Sequence, residues 1–472
     1  MPLAPSPSPI SPARAACPAA LPLPLIGADL EVPLVTGERV RYVNLDCAAS
    51  APCSRAVHET VTALLPWYSS VHRGAGFASV VVTDAYDTAR AIVATHVGAG
   101  PDDSIVFTRN TTDALNLLAS ALPEDTTVVC FASEHHANLL PWRGRSLVQL
   151  PVPTSPEDAL ARVEDALRTL TSRHRLLAVT GASNVTGEIW PVAELATLAH
   201  RYGARIAVDA AQLAPHRAVD MAALGADYLA LSGHKMYAPL GAGVLVGRAD
   251  WLDVAKPYLS GGGAVRRVTI DRTEWANGHA RHEAGTPNVV GAVALAAACR
   301  ELDRIGMQAI AAHEAELIHR VRRGLEALPE VETLSMWGPS SARVGIVTFQ
   351  VRGWHPSALA AALSAEHGIG VRDGTFCAHP LVACLTSRTR EDGAGGAVRA
   401  SFGAGTTEAD VDRFVDAMKQ LVSHGARWRY RVVAGRHVPD PDPRPRPRLY
   451  ADDVSVLGKG VAPRFESVEP CR

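Results

Sequence analysis

The chain has 472 residues, 46 Lys plus Arg against 48 Asp plus Glu, and 47% hydrophobic residues. That length buries a substantial core and holds two or three domains, while the balanced charge removes the basic field that nucleic-acid binding draws on. No apolar run is long enough to cross a bilayer, and no charged segment precedes an apolar core near residue 1 as in a secretory signal, so neither a membrane nor a nucleic-acid partner is expected.

Residues 1–27 are proline-rich and expected to be disordered. Globular sequence starts near Leu30, and Asn44–Pro52 reads as a strand end and turn. Apolar positions at helical spacing (Val57, Val61, Leu64, Leu65) predict a helix over Arg55–Tyr68. After the glycine-rich loop Val71–Gly76, a second helix is predicted over Val82–Val97. Short apolar runs then alternate with helical segments. Strands are predicted at 104–107, 127–131, 146–152, 175–180, 205–208, 227–231 and 244–246, and helices at 112–121, 156–170 and 192–202. Such alternation means a mostly parallel sheet with helices on both faces, an α/β fold. An alanine-rich helix follows over Val290–Ile305, then a smaller α+β portion to about Ser423. The cluster of Ser, Thr, Arg and Gly between Val382 and Gly396 looks looser than a core. The basic, proline-rich stretch past Trp428 reads as a flexible tail. Eight cysteines show no Cys-x-x-Cys pair and no zinc-ligand spacing, and they are expected to be reduced thiols of a cytoplasmic protein.

In open α/β sheets ligands collect beyond the carboxyl ends of the strands. After Ile105-Val106-Phe107 come Thr111 and Thr112, opening a helix. Their hydroxyls and free amides suit a phosphate, and equally an ordinary threonine N-cap. After Cys130-Phe131 come His135 and His136, which suit either a metal ion lacking an evident third ligand or a ring-stacking imidazole. Asn184 lies in a polar, glycine-spaced turn after Leu177-Ala178-Val179. Asp209 and Gln212 follow Ile206-Ala207-Val208. A carboxylate at the end of a buried strand needs a cation or hydrogen-bond donors, which a protonated pyridine nitrogen, a salt bridge or a helix terminus would each supply. Finally Ser232-Gly233-His234-Lys235 follows Asp227–Leu231. A lysine at a buried strand exit either snorkels to water or carries a depressed pKa and a nucleophilic amine suited to an imine with pyridoxal phosphate (PLP).

Taken in order, these motifs resemble class V of the aminotransferase superfamily, fold-type I PLP enzymes, from about Tyr42 to Val422. The likeness is greatest to the group II cysteine desulfurase and selenocysteine lyase branch. It is carried by Val71-His72-Arg73-Gly74, Asn110-Thr111-Thr112, Glu134–Trp142, Ser183–Gly187, Val208–Gln212, Ser232–Lys235, Glu283–Asn288 and Arg372–Pro380. The resemblance implies a large domain (60–295) with a mostly parallel seven-stranded sheet and a smaller α+β C-terminal domain (296–425). Residues 28–59 would pack with the small domain, and 426–472 would form the tail. By the same resemblance Lys235 is the Schiff-base lysine, Asp209 holds the pyridine nitrogen and His135 stacks on the ring. Asn184 and Gln212 bond the ring oxygen. Thr112, Ser232 and His234 bind the phosphate, with Thr111 close by. A homodimer is implied, in which Thr286 reaches the partner's phosphate. Arg399 falls where the family binds the substrate α-carboxylate, to which a guanidinium is matched bidentately; Arg372 lies where the family keeps a second active-site arginine, and both join His72 in the substrate-binding set.

Cys377, in Arg-x-Gly-x-x-Cys-Ala-x-Pro, is where the resemblance places a thiolate that attacks the substrate sulfur, leaving a persulfide and alanine. The histidine pair that often precedes this cysteine is replaced here by Thr375-Phe376. The expected function is a PLP-dependent cysteine desulfurase or selenocysteine lyase, with a protein sulfur acceptor as a further partner and no metal. The alternative is another class V reaction on an amino acid: C–S lyase, epimerase or aminotransferase, possible in specialised metabolism.

Overall fold

The structure, a computed structural model, describes residues 21–386 and 396–447. Seven strands form the main sheet in the spatial order Asp103–Thr108, Gly243–Arg248, Tyr228–Ser232, Arg205–Asp209, His174–Thr180, Thr126–Phe131, Ser146–Leu150. Gly243–Arg248 is antiparallel to both neighbours and the remaining strands share one direction, so the predicted mostly parallel sheet is present. Both faces are covered. Helices Pro156–Thr169 and Val192–Arg201 bury Val163, Leu195 and Ala199 on one side, while Thr111–Ala121 buries Leu115 and Leu118 on the other. Strands covered twice read as continuous apolar runs, which is why they were visible in the sequence.

The second layer is an antiparallel sheet ordered Val331–Thr333, Ile346–Val351, Ala397–Ser401, Arg372–Gly374. Helices Met307–Glu326, Pro356–His367 and Glu408–His424 supply Leu317, Leu363 and Phe414 to its core. Val43–Asn44 pairs in parallel with Ile369–Gly370, so the residues after it are delivered to the seam between the two sheets. No helix of the described residues is long and apolar enough to cross a membrane.

Four expectations are corrected. The second helix starts at Phe77, not Val82, with Gly76 as its N-cap. Phe77 and Val80 are exposed, so its first turn carries no apolar stripe to read. The first helix ends at Leu64 and continues as a 3₁₀ turn over Leu65–Trp67, where Pro66 has no N–H to give. Residues 21–27, expected to be disordered, are packed. Leu23 is buried and donates its N–H to Ala404 O at 2.7 Å, and Leu21 and Leu25 lie on the same core. The alternation Leu21-x-Leu23-x-Leu25 offers one apolar edge despite the prolines between. Past Trp428 the chain does not begin as a flexible tail. Tyr430–Val433 and Arg436–Pro439 form a hairpin whose His437 Nδ1 lies 2.7 Å from Ser357 Oγ. Its Tyr430 hydroxyl donates to Glu366 at 2.8 Å. Residues 1–20 and 448–472 lie outside the described residues. The stretch expected to be loose, Val382–Gly396, begins inside the helix His379–Thr386, and 387–395 lie outside the described residues.

Candidate active site

The exits of five strands that share one direction open into one cavity of about 340 Å3. The register is what brings them together: Thr180 is opposite Asp209, Asp209 opposite Ala230, and Gly243 opposite both Ser232 and Thr108. The lining includes Thr111, Thr112, His135, Asn184, Asp209, Gln212, Ser232, His234, Lys235, Arg372, Cys377 and Arg399. Twelve of the fourteen residues singled out in the sequence thus share one wall. Thr286 and His72 do not. Both line a separate cavity of about 800 Å3, where His72 Nε2 sits 3.1 Å from Asp87 Oδ1.

Lys235 ends the 3₁₀ turn Gly233–Lys235 and faces the cavity instead of snorkelling away. Burial brings its ammonium down to about 8, with Asp209 opposing the fall and Arg399 adding to it. At neutral pH roughly a tenth of such a lysine is the free amine, against less than about one part in a thousand for an ordinary one. Asp209 is buried, its Oδ1 accepts from Ala211 N at 2.9 Å, and it forms no salt bridge among the described residues. Burial therefore raises its carboxyl, opposed by Lys235. Both the salt-bridge and the helix-cap explanations of Asp209 leave one oxygen unaccounted for.

His135 Nδ1 accepts from Ala137 N at 3.0 Å, so its proton is placed on Nε2. Burial first, then Lys235, brings this ring down to about 3, and it stays neutral at any working pH. His136 diverges from it and stacks edge-on against His379 at 4.6 Å. The metal explanation of the histidine pair gains nothing from this, since no group of three ligand-type residues is present among the described residues. Beneath His135, the fully buried Glu134 is raised to about 8 by its dry surroundings. It accepts from Asn138 Nδ2 at 2.7 Å and Thr180 N at 3.1 Å.

The helix Thr111–Ala121 is capped by Asn110, whose side chain accepts from Asp113 N at 3.0 Å. That corrects the threonine-cap alternative and leaves the threonines for other work. Thr111 Oγ1 lies 2.7 Å from Ser232 Oγ, which also accepts from Thr111 N at 2.8 Å. Thr112 is exposed, and it lines the cavity as His234 does. Gln212 gives its Nε2 to Ala48 O at 2.7 Å, while its Oε1 is buried with no partner. Asn184 donates to Phe376 O at 2.7 Å, tying its turn to the cysteine loop.

Cys377 is the exposed one of the six described cysteines. Cys47 and Cys130 are buried and pushed up to about 12, mainly by burial, and are inert by comparison. Phe376 and Cys377 both hold left-handed backbone, with φ of +52° and +54°. Phe376 is pinned by burial under the Arg399 guanidinium, 5.1 Å from its ring, and Cys377 O accepts from His136 N at 2.8 Å. Two residues that sequence reasoning passed over matter here. Asp46, inside a stretch read only as a turn, bridges Arg399 and Arg372, and His379 supports His136. Asp46 offered only a polar side chain just past a strand, which many turns share, and His379 only a histidine opening a helix.

His135 yields a pH prediction. An ordinary histidine protonates near 6.5, and this one at about 3. The unfolded chain binds the extra proton, so stability present above pH 6.5 is lost as pH falls through that window, by at most about 1.4 kcal/mol per unit. His135→Asn keeps an acceptor for Ala137 N but cannot protonate. Urea unfolding of cofactor-free protein at pH 6.5, 5.5 and 4.5 is expected to show a shallower decline for the variant than for wild type.

Comparison with known proteins places this geometry. The family model described as aminotransferase class-V matches residues 43–414. A probable cysteine desulfurase of Halalkalibacterium halodurans is 36% identical over 80% of this chain and 92% of its own length. A cysteine desulfurase of Dickeya dadantii is 37% identical over 82% of this chain and 93% of its own. The apo structure of cysteine desulfurase from Thermococcus onnurineus NA1 superposes with a TM-score of 0.73 at 36% identity, covering 81% of this chain and 95% of that one.

Proposed function

We propose, from the premise that this chain belongs to the aminotransferase class-V family, that it is a PLP-dependent cysteine desulfurase acting on L-cysteine or L-selenocysteine. The observation that carries this reading is the shared wall of Lys235, Asp209, Arg399 and an exposed Cys377.

The side chains fit the cofactor. Asp209, buried and in no ion pair among the described residues, suits a protonated ring nitrogen, and the orphaned Gln212 Oε1 suits a hydroxyl donor on the ring. Thr112, Ser232 and His234, with Thr111 behind them at a helix N-terminus, suit the phosphate. His135 offers a neutral ring face, and Asn184 stands beside the cysteine loop. When bound, PLP would supply the electron sink that makes the substrate α-proton acidic.

Lys235 would attach the cofactor as its free amine and, once displaced by substrate, take the α-proton at Nζ. Arg399, with Arg372, would hold the α-carboxylate. Cys377 Sγ, as thiolate, would attack the substrate sulfur. An S–S bond forms and the substrate Cβ–S bond breaks, its electron pair staying on carbon. The proton lost from the Cys377 thiol is matched by the one that completes the methyl group of alanine. Sulfur is oxidised and Cβ reduced within one substrate, so no external oxidant enters. The exposure of Cys377 supports transfer of this sulfur to an acceptor protein. The separation of His72 and Thr286 from the cavity supports a homodimer in which they serve the neighbouring copy's site. The thiols of Cys47, Cys53, Cys130, Cys299 and Cys377, none in a disulfide, support a cytoplasmic setting.

Supplying PLP-loaded protein with L-cysteine tests this: one alanine per persulfide is expected in a first turnover without reductant. Pyruvate or a keto acid instead of alanine would replace it with the lyase or aminotransferase reading. Gly243 gives a second check. A Cβ there would come within 2.5 Å of Asn110 Cα, so Gly243→Ala must displace the start of the threonine helix. PLP affinity, measured by fluorescence titration, is expected to fall at least about tenfold, the loss of one good charge-assisted contact.

A further inference from the structure

Arg372 and Arg399 are directly opposite each other on neighbouring antiparallel strands. Like charges facing across a ladder repel, and Arg399 is also only 3% exposed. One carboxylate relieves both. Asp46 Oδ1 accepts from Arg399 Nη2 at 3.2 Å, and Asp46 Oδ2 lies 3.1 Å from Arg372 Nη2 and from its Nε. Asp46 is itself held, its N–H donating to Asn44 Oδ1 at 3.0 Å and its backbone bridging to Ser401. It does not line the cavity and so stands behind the two arginines that do. Arg399 Nη1 is committed to Asn184 O at 2.7 Å, which leaves the buried Nε as the nitrogen without a partner.

We propose that Asp46 is the charge-setting and positioning residue of the arginine pair, and that it tunes this site to ligands carrying a single carboxylate. The proposal rests on the assignment of Arg399 and Arg372 to the substrate carboxylate. Two guanidiniums and one aspartate leave one net positive charge, matched by one carboxylate. A ligand with two carboxylates brings a second negative charge toward a region that Asp46 has already half neutralised. Cysteine and alanine carry one carboxylate, whereas four-carbon diacids and sulfinate analogues of cysteine carry two anionic groups. Asp46 acts through the arginines and touches no substrate.

Affinity ratios separate this role from mere support, because loss of alignment weakens both anions while a change of charge weights the dianion twice. Calorimetric titration of PLP-loaded protein with propionate and with succinate gives the ratio. Asp46→Asn is expected to raise succinate affinity relative to propionate by about tenfold, the scale of one charge at partly buried distances. Asp46→Glu keeps the charge and should stay within about twofold of wild type. Arg372→Gln shifts the net charge the other way and should lower the ratio, which preserves the test should Asp46→Asn fail to fold. An unchanged ratio in the asparagine variant, or a rise in Arg372→Gln, overturns the assignment. The titration needs no turnover: if the ratios move as expected while L-cysteine yields no alanine, the desulfurase reading fails and the role of Asp46 stands.

Discussion

Lys235→Ala is expected to give a folded, colourless protein that does not retain PLP and turns over at least about a thousandfold more slowly. The size follows from losing both the covalent attachment and the base, each a separate contribution of two or more orders of magnitude. Folding should not suffer, because the native amine is held at a cost. An ordinary lysine titrates near 10.4 and Lys235 at about 8, chiefly through burial. Between those values the unfolded chain binds a proton that the folded chain has released. Wild-type cofactor-free protein therefore gains stability as pH rises from 8 toward 10.4, and below 8 it carries a penalty on the order of 3 kcal/mol. The alanine variant lacks both, so it should be no less stable at pH 7 and should show a flatter profile at alkaline pH. Urea unfolding at pH 7.5, 9 and 10 reads this directly. Borohydride fixation of the loaded wild type, followed by digestion, should place the coenzyme on the Lys235 peptide. Its recovery on another peptide would remove the mechanism.

Cys377→Ser should do the reverse: cofactor colour retained, persulfide formation lost, and alanine release from L-cysteine reduced at least about a thousandfold. A serine hydroxyl lacks the accessible anionic form that makes a thiol the better nucleophile. Cys47 and Cys130 cannot substitute, since both are buried with thiols pushed up to about 12. Structure should tolerate the change. The left-handed backbone at Phe376 and Cys377 costs about 1 kcal/mol for each residue. It is maintained by Asn184 on Phe376 O, His136 on Cys377 O and the buried Phe376 ring, none of which uses the sulfur. Persulfide is counted by alkylation and mass, alanine by chromatography. Undiminished alanine in the serine variant would make Cys377 a bystander and favour the lyase alternative.

The preorganised loop also answers a question raised by the sequence. With Thr375-Phe376 in place of a histidine pair, the cysteine lacks imidazoles immediately before it. The fold instead ties the backbone N–H of His136, in the turn after a main-sheet strand, to Cys377 O, and pairs its ring with that of His379, two residues downstream of the cysteine.

What the sequence determined by itself was the sheet and the inventory of its exits. A strand covered on both faces must be apolar throughout, and the residue after it must be where polarity returns, so Thr111, His135, Asn184, Asp209 and Lys235 could be read in order without coordinates. Elements without such a pattern were misjudged: the exposed first turn at Phe77, the leucine edge at Leu21–Leu25, and the hairpin at Tyr430–Pro439. Only the tertiary structure decided which of those polar residues meet, and on what terms. Asp46 reaches Arg399 across 353 residues, and His72 and Thr286 come together in a second cavity apart from the first. Periodicity records which face of an element is dry. It carries no record of which distant charge compensates a buried one, because that pairing is set by strand register and by the seam between two sheets, and neither leaves a repeat in the chain.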